Sequence, residues 1–143
     1  MPGLLEQPVS AVMKRDFATA KREDRLDKVF ELMAKSGVLF VPVVDDFGVA
    51  IGTISERDLA KVLNSPAVGA IMKFSEEIIH ECLKKPVKDI MTHQPITLEE
   101  SARVSDALRI FANNHIHFIP VINKGGVVVG ILSLLDIISH ERK

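Results

Sequence analysis

The chain has 143 residues, 47% of them hydrophobic, and a formal net charge of −1 from 18 basic and 19 acidic side chains. This length suits a single domain with a real core, and the balanced charge gives no long-range field that would attract nucleic acid or an anionic membrane. No apolar run approaches the roughly 20 residues of a spanning helix. The single cysteine excludes an internal disulfide and the N-terminus lacks a secretion signal, so we expect a cytoplasmic protein with no nucleic acid and no membrane partner.

The first half of the chain predicts a short helical turn, a brief strand, a helix, a hairpin of two strands and a closing helix. The clearest signal is an apolar stripe at helical spacing, Leu26, Val29, Phe30 and Met33, which Gly37 ends. The predicted elements are, in chain order, a turn at residues 8–13, strands at 17–19, 39–44 and 49–54, and a last helix at 56–63.

The second half repeats the first. Residues 8–58 recur as residues 86–136 at a constant displacement of 78 residues, without an insertion or deletion. The sequence therefore predicts one repeat at 8–63, a helical connector at 64–85 that starts near Asn64-Ser65-Pro66 and runs through Ile71, and a second repeat at 86–140. Identical pairs include Pro8 and Pro86, Met13 and Met91, Thr19 and Thr97, Phe40 and Phe118, Pro42 and Pro120, Gly52 and Gly130, Ser55 and Ser133, and Asp58 and Asp136.

The order β-α-β-β-α, written twice, predicts an α/β fold of two pseudo-symmetric repeats with small mixed sheets. A crossover connection gives parallel neighbours and a hairpin gives antiparallel ones, so each sheet is expected to contain both, with helices on one side. A unit of about 60 residues buries too little surface to be stable alone, so we expect the copies to pack as one module.

Two motifs recur at the same place in each copy, and they carry a family resemblance. They are Val41-Pro42-Val43 with Gly52-Thr53-Ile54-Ser55-Glu56-Arg57-Asp58, and Ile119-Pro120-Val121 with Gly130-Ile131-Leu132-Ser133-Leu134-Leu135-Asp136. The chain resembles a pair of cystathionine-β-synthase-type (CBS) domains. The resemblance implies a regulatory module, not an enzyme, that binds AMP, ADP, ATP or S-adenosylmethionine in clefts between the repeats and requires no other cofactor.

By the same resemblance, Asp58 and Asp136 would accept hydrogen bonds from ribose hydroxyls. Ser55 and Ser133 would contact ribose or phosphate, and Thr19 and Thr97 would border the adenine. The chemistry is reasonable without the resemblance, because a carboxylate can accept two charge-assisted hydrogen bonds from a vicinal diol. A phosphate would meet the free amide groups at the start of the following helix.

The Ser-x-x-Asp spacing has a second interpretation. A hydroxyl followed three residues later by an acid is also the signature of a helix capping box, which needs no ligand. The alternative function is therefore a ligand-free dimerisation scaffold in which Ser55, Asp58, Ser133 and Asp136 only cap helices.

The two copies differ at a position that resembles a basic phosphate-binding slot in the family. The second copy has His117 there and the first has Leu39, so we expect unequal clefts. The next residue is Phe40 or Phe118, and an apolar side chain there favours AMP or ADP over ATP. Arg57 completes the candidate ligand-binding set as a supplementary cation, with solvated surface charge as its other interpretation.

The remaining candidates are weak. His115 and His117 lie on one face of a strand, but no acid or cysteine at ligand spacing accompanies them, so no metal site is predicted. Cys82 lies in an apolar helical stripe without an activating base, which predicts a buried thiol and no catalytic residue. The resemblance also implies a homodimer joined through helices and a regulated partner protein whose identity the sequence does not give.

Overall fold

The structure is a computed structural model that describes residues 3–63 and 76–141. The start of the predicted connector helix, at Asn64-Ser65-Pro66 and through Ile71, lies outside these residues. The chain forms two compact units. Unit 1 comprises Met1–Phe17, Phe47–Ala50 and Pro95–Lys143, and unit 2 comprises Ala18–Asp46 and Ile51–Gln94.

Unit 2 is built on a four-stranded mixed sheet in the order β1-β2-β3-β4. Strand β1 runs parallel to β2, with Ala20 opposite Val43, and β4 runs antiparallel to β3, with Thr53 opposite Thr92. The elements are β1 Ala20–Lys21, α1 Leu26–Ser36, β2 Phe40–Val44, β3 Ala50–Ser55, α2 Glu56–Leu63, α3 Glu76–Leu83 and β4 Thr92–His93.

Unit 1 has a three-stranded sheet in the order β5-β6-β7. Strand β5 is parallel to β6, with Leu98 opposite Val121, and β6 is antiparallel to β7, with Phe118 opposite Ser133. The elements are β5 Leu98–Glu99, α4 Val104–Asn113, β6 Phe118–Ile122, β7 Val128–Ser133 and α5 Leu134–Glu141.

The apolar stripe of α1 forms part of the core of unit 2, as its spacing predicts. Leu26, Val29 and Met33 are all buried, and Gly37 ends the helix in the left-handed region at φ 68°. A residue without a Cβ adopts that conformation at little cost, and the Gly37 amide donates to the Met33 carbonyl.

The first residues of each sequence repeat do not pack with the rest of that repeat. They pack in the structural unit that contains the β-hairpin of the other repeat. Val9, in a 3-10 turn at Val9–Ala11, is fully buried in unit 1, and its amide donates to the Ala102 carbonyl at 2.7 Å. Val87, in the equivalent turn Val87–Asp89, is fully buried in unit 2, and its amide donates to the Asp24 carbonyl at 2.8 Å. The structural units therefore exchange short segments relative to the sequence repeats.

The predicted order of elements and the mixed sheets are confirmed, but the first brief strand is displaced. It was expected at residues 17–19 and lies at Ala20–Lys21, because Ala20 is the residue that is buried and pairs with β2, whereas Thr19 is exposed. Within residues 3–63 and 76–141, no helix is long and apolar enough to cross a membrane.

Candidate functional site

In unit 2 the carboxylate of Asp58 lies in the first turn of α2 and is only 6% exposed. Its Oδ2 accepts hydrogen bonds from the Ser55 amide at 2.7 Å and the Ser55 hydroxyl at 3.1 Å. Its Oδ1 accepts from the Thr92 hydroxyl on β4 at 2.9 Å. The side chain is therefore held from both sides by groups of the same unit.

In unit 1 the carboxylate of Asp136 takes the equivalent place at the start of α5. Its Oδ2 accepts from the Ser133 amide and the Ser133 hydroxyl, both at 2.9 Å, and the Ser133 hydroxyl accepts in turn from the Asp136 amide at 3.2 Å. Its Oδ1 lies 3.5 Å from Nζ of Lys14. This reciprocal arrangement is a complete capping box.

The capping box is thus complete in unit 1, whereas in unit 2 the aspartate accepts from the serine and no return bond from the Asp58 amide to the Ser55 hydroxyl is seen. These hydrogen bonds do not use the full acceptor capacity of the carboxylates. Each carboxylate has about four lone-pair positions, and the serine occupies two of them on Oδ2. Acceptor capacity therefore remains on Oδ1, beside the Lys14 ammonium in unit 1 and beside the Thr92 hydroxyl in unit 2.

The sheets bring some of the other predicted site residues near these carboxylates. In unit 1, Phe118 is half-buried and directly opposite Ser133, and exposed His117 precedes it. Half-buried Thr97 comes just before β5, two strands away from β7. That separation is roughly 10 Å at the usual spacing of strands, so a ligand that contacts both Thr97 and Asp136 must be extended across the sheet.

In unit 2, the equivalent Thr19 is exposed just before β1, at the far side of the sheet from Ser55. Arg57 is exposed on α2, and no hydrogen bond or ion pair joins its side chain to Asp58 or Ser55. The structure brings Ser55 and Asp58 together and places Thr19 two strands away from them.

Sequence reasoning missed the two residues that contact the carboxylates from the neighbouring backbone segment: Lys14, in an isolated bridge to β7, and Thr92, on β4. They occupy the same place in the two repeats, since 14 plus 78 is 92. The repeat register could have paired them with each other, but it could not show that they reach Asp136 and Asp58.

Gly52 and Gly130 have a packing role that the sequence did not suggest. A Cβ on Gly52 would lie 2.7 Å from Sδ of Met91 and 2.8 Å from the Thr92 carbonyl oxygen. A Cβ on Gly130 would clash with Sδ of Met13 and lie 2.9 Å from the Lys14 carbonyl oxygen. The backbone at Gly130 and Gly52 therefore lies close to the segments that contain Lys14 and Thr92, respectively.

Two surface cavities, one in each unit, have linings that include neither Asp58 nor Asp136. One of about 360 Å³ in unit 1 is lined by the ends of β5 and β6, with Asn123 and Lys124. One of about 250 Å³ in unit 2 is lined by Phe30, Leu39 and Glu56 among others. Neither contains a predicted ligand-binding residue.

The structure also locates the weaker candidates. Among the described residues, no three His, Cys, Asp or Glu side chains are grouped closely enough to hold a metal ion. Cys82 is a free, buried thiol in the core of unit 2, as predicted, and burial raises the pKa of this thiol although Lys85 opposes the shift.

The sequence model of the CBS domain matches residues 9–65 and 87–143, so the chain is a tandem CBS-domain protein and belongs to that family. An uncharacterized protein of Methanopyrus kandleri is 29% identical over 133 residues, which cover 93% of this chain and 62% of that protein. The chain thus spans less than two thirds of this relative.

Solved structures of CBS pairs share the fold. CBSX2 of Arabidopsis thaliana in complex with AMP has a TM-score of 0.78 at 24% identity, over 95% of this chain and 96% of that chain. The CBS domain pair of protein MJ0100, in complex with 5-methylthioadenosine and S-adenosyl-L-methionine, has a TM-score of 0.76 at 24% identity, over 96% of this chain and 99% of that chain.

Proposed function

We propose that this protein is a non-catalytic regulatory module that binds an adenosine-containing ligand through the carboxylates of Asp58 and Asp136. AMP and ADP are the favoured ligands. The proposal is supported by the family, whose members CBSX2 and MJ0100 were crystallised with AMP and with adenosyl compounds. It extends from those proteins to this one through the two repeated Ser-x-x-Asp motifs.

The observation that carries the proposal is the acceptor capacity that remains on the Oδ1 atoms of Asp58 and Asp136. Each carboxylate is oriented by its serine through Oδ2, which fixes the side chain before any ligand arrives. In unit 1 the Oδ1 atom has only a lysine at 3.5 Å whose side chain is 70% exposed. In unit 2 the Oδ1 atom already accepts from the Thr92 hydroxyl at 2.9 Å and keeps one lone-pair position. A ribose diol can take the remaining lone pairs with charge-assisted hydrogen bonds and little loss of side-chain entropy.

We favour ligands with one or two phosphates because the strand residues opposite the serines are apolar. Phe40 and Phe118 supply no cation there, and the positive end of a single short helix neutralises only part of a polyphosphate. His117 adds one donor in unit 1. Binding regulates a partner protein only if the ligand has different affinity for two conformations of the module.

The alternative function, an association scaffold without a ligand, has its own support. The capping box of unit 1 is complete, and α5 exposes the apolar side chains Leu134, Leu135 and Ile138 by 43%, 72% and 47%. These three residues share one helix face, which would suit a helix-mediated homodimer.

Titration calorimetry with AMP and adenosine on Asp136→Asn and Asp58→Asn distinguishes the two functions. Asparagine keeps one carbonyl oxygen for the serine and loses the charge, so we expect affinity for both ligands to fall by about 1 to 3 kcal/mol at the altered site. The free energy of unfolding should change by less than about 1 kcal/mol, because the cap persists. The control is Asp46→Asn, whose carboxylate is 92% exposed and pairs with Lys21. Unchanged ligand affinity in both site variants would show that the carboxylates do not bind the ligand, and no affinity in the parent protein would leave the scaffold as the function.

A further inference from the structure

The two carboxylate sites differ in the residue that reaches Oδ1 from the backbone segment paired with the third strand of each repeat. Lys14 forms a backbone bridge to Ile131 through two hydrogen bonds of 2.9 Å, and Thr92 is paired with Thr53 in the same antiparallel manner. Since residue 131 is residue 53 of the second repeat, Lys14 and Thr92 hold one structural position. The chemistry at that position is a cation in unit 1 and a neutral hydroxyl in unit 2.

The difference changes the charge that each site presents. In unit 1 the Asp136 carboxylate is balanced by Lys14, and the first two residues of α5 are the apolar Leu134 and Leu135. In unit 2 the Asp58 carboxylate is paired with the uncharged Thr92.

The first turn of α2 makes the contrast larger. It contains Glu56 beside Asp58, and Arg57 offsets only one of the two acids. The local formal charge is therefore zero in unit 1 and −1 in unit 2. The position that holds His117 in unit 1 holds the apolar Leu39 in unit 2.

We propose that Lys14 makes the unit 1 site selective for phosphorylated adenosine ligands, while Thr92 leaves the unit 2 site to uncharged or cationic adenosine compounds. This inference rests on the proposed function and adds to it a division of ligand classes between the two sites. Both carboxylates hold ribose hydroxyls, and the strand residue decides whether a phosphate is attracted or repelled.

The expected size of the preference is moderate, because Lys14 is 70% exposed and solvent screens its charge. One charge-assisted contact to phosphate corresponds to about tenfold in affinity. The preference should also shrink as salt is raised from 50 to 500 mM, since an exposed ion pair is screened over a few Å at high ionic strength.

Nuclear magnetic resonance can observe the two sites separately, because the Ser133 and Ser55 amides each donate to their own aspartate. We would titrate the full chain with AMP and with adenosine and follow both amide signals. AMP should saturate the Ser133 signal at a concentration about tenfold lower than adenosine does. The Ser55 signal should respond to adenosine at least as well as to AMP.

Two reciprocal variants test the cause. Lys14→Thr should remove the AMP preference at Ser133, so that AMP and adenosine saturate this signal at similar concentrations, whereas Thr92→Lys should create that preference at Ser55. Lys14→Arg keeps the charge and should keep the preference. Lys84→Thr removes an exposed lysine that pairs with Glu81, and it should change neither signal.

The outcomes separate this inference from the proposed function. If both ligands bind but Lys14→Thr leaves the ratio of AMP to adenosine affinity at Ser133 unchanged, the role of Lys14 is wrong and the binding function stands. If neither ligand shifts either amide at millimolar concentration, both proposals fail. Melting temperatures of the variants within about 2 °C of the parent protein show that the fold is intact.

Discussion

Gly52→Ala should destabilise the protein although it replaces glycine by a better strand residue. The added Cβ would lie 2.7 Å from Sδ of Met91 and 2.8 Å from the Thr92 carbonyl oxygen, whereas ordinary contact begins at 3.4 Å. The methionine can turn away, but the carbonyl belongs to β4 and moves only if β4 separates from β3. Overpacking of this kind costs about 1 to 3 kcal/mol, and the lower chain entropy of alanine returns about 0.5 to 1. We expect a net loss of about 1 to 2 kcal/mol.

Urea unfolding followed by circular dichroism measures this loss as a lower midpoint with an unchanged slope. Gly125→Ala is the matched control, because its Cβ would meet only the Asn123 side chain, at 3.4 Å. The displacement of β4 also carries Thr92 away from Asp58, so adenosine binding at the Ser55 amide should weaken. A variant within about 0.5 kcal/mol of the parent protein would refute the close packing of β4 on Gly52.

Three further changes have distinct expected results. His117→Ala should weaken AMP binding several-fold without affecting adenosine, and an equal loss for both ligands would remove His117 from the phosphate site. Because burial raises the pKa of the Cys82 thiol, it should react with a thiol reagent at pH 8 far more slowly than in urea-unfolded protein, and rapid labelling of the native state would contradict its burial. The same shift contributes stability below a pH of about 8.5 that is lost as the pH rises through the folded-state pKa, so Cys82→Ala should unfold with a smaller alkaline loss. Gly37→Ala should lower the free energy of unfolding in urea by about 1 kcal/mol. The added Cβ would meet no atom within 4 Å, so the loss would come from the left-handed backbone at φ 68° alone.

The sequence predicted most of the fold because its strongest signals are local or repeated. The α1 stripe and Gly37 define one helix by spacing and backbone conformation alone. The second copy then confirmed each element of the first in the same order. The brief strand at Ala20–Lys21 was misplaced because two residues carry almost no periodic signal.

The candidate site was predicted only in part. Ser55 with Asp58 could be recognised, because a capping box is a contact between residues three apart. The hydrogen bond from Thr92 to Asp58 joins residues 34 apart, and it depends on which segment of the chain packs against β3. No single-sequence pattern reports such a contact, so the residue that distinguishes the two sites became visible only in the structure.

The central claim, that Asp58 and Asp136 hold the sugar of an adenosine ligand, is tested most directly by calorimetric melting of the parent protein and the Asp58→Asn/Asp136→Asn double variant. Each is melted with and without AMP, ADP, ATP, adenosine or S-adenosylmethionine. A ligand at 100 times its Kd stabilises a protein by about 2.7 kcal/mol, which is roughly 8 °C for a domain of this size. We predict a rise of several degrees with at least one ligand in the parent protein and almost none in the double variant. Equal rises in both proteins, or no rise with any ligand at millimolar concentration, would contradict the claim.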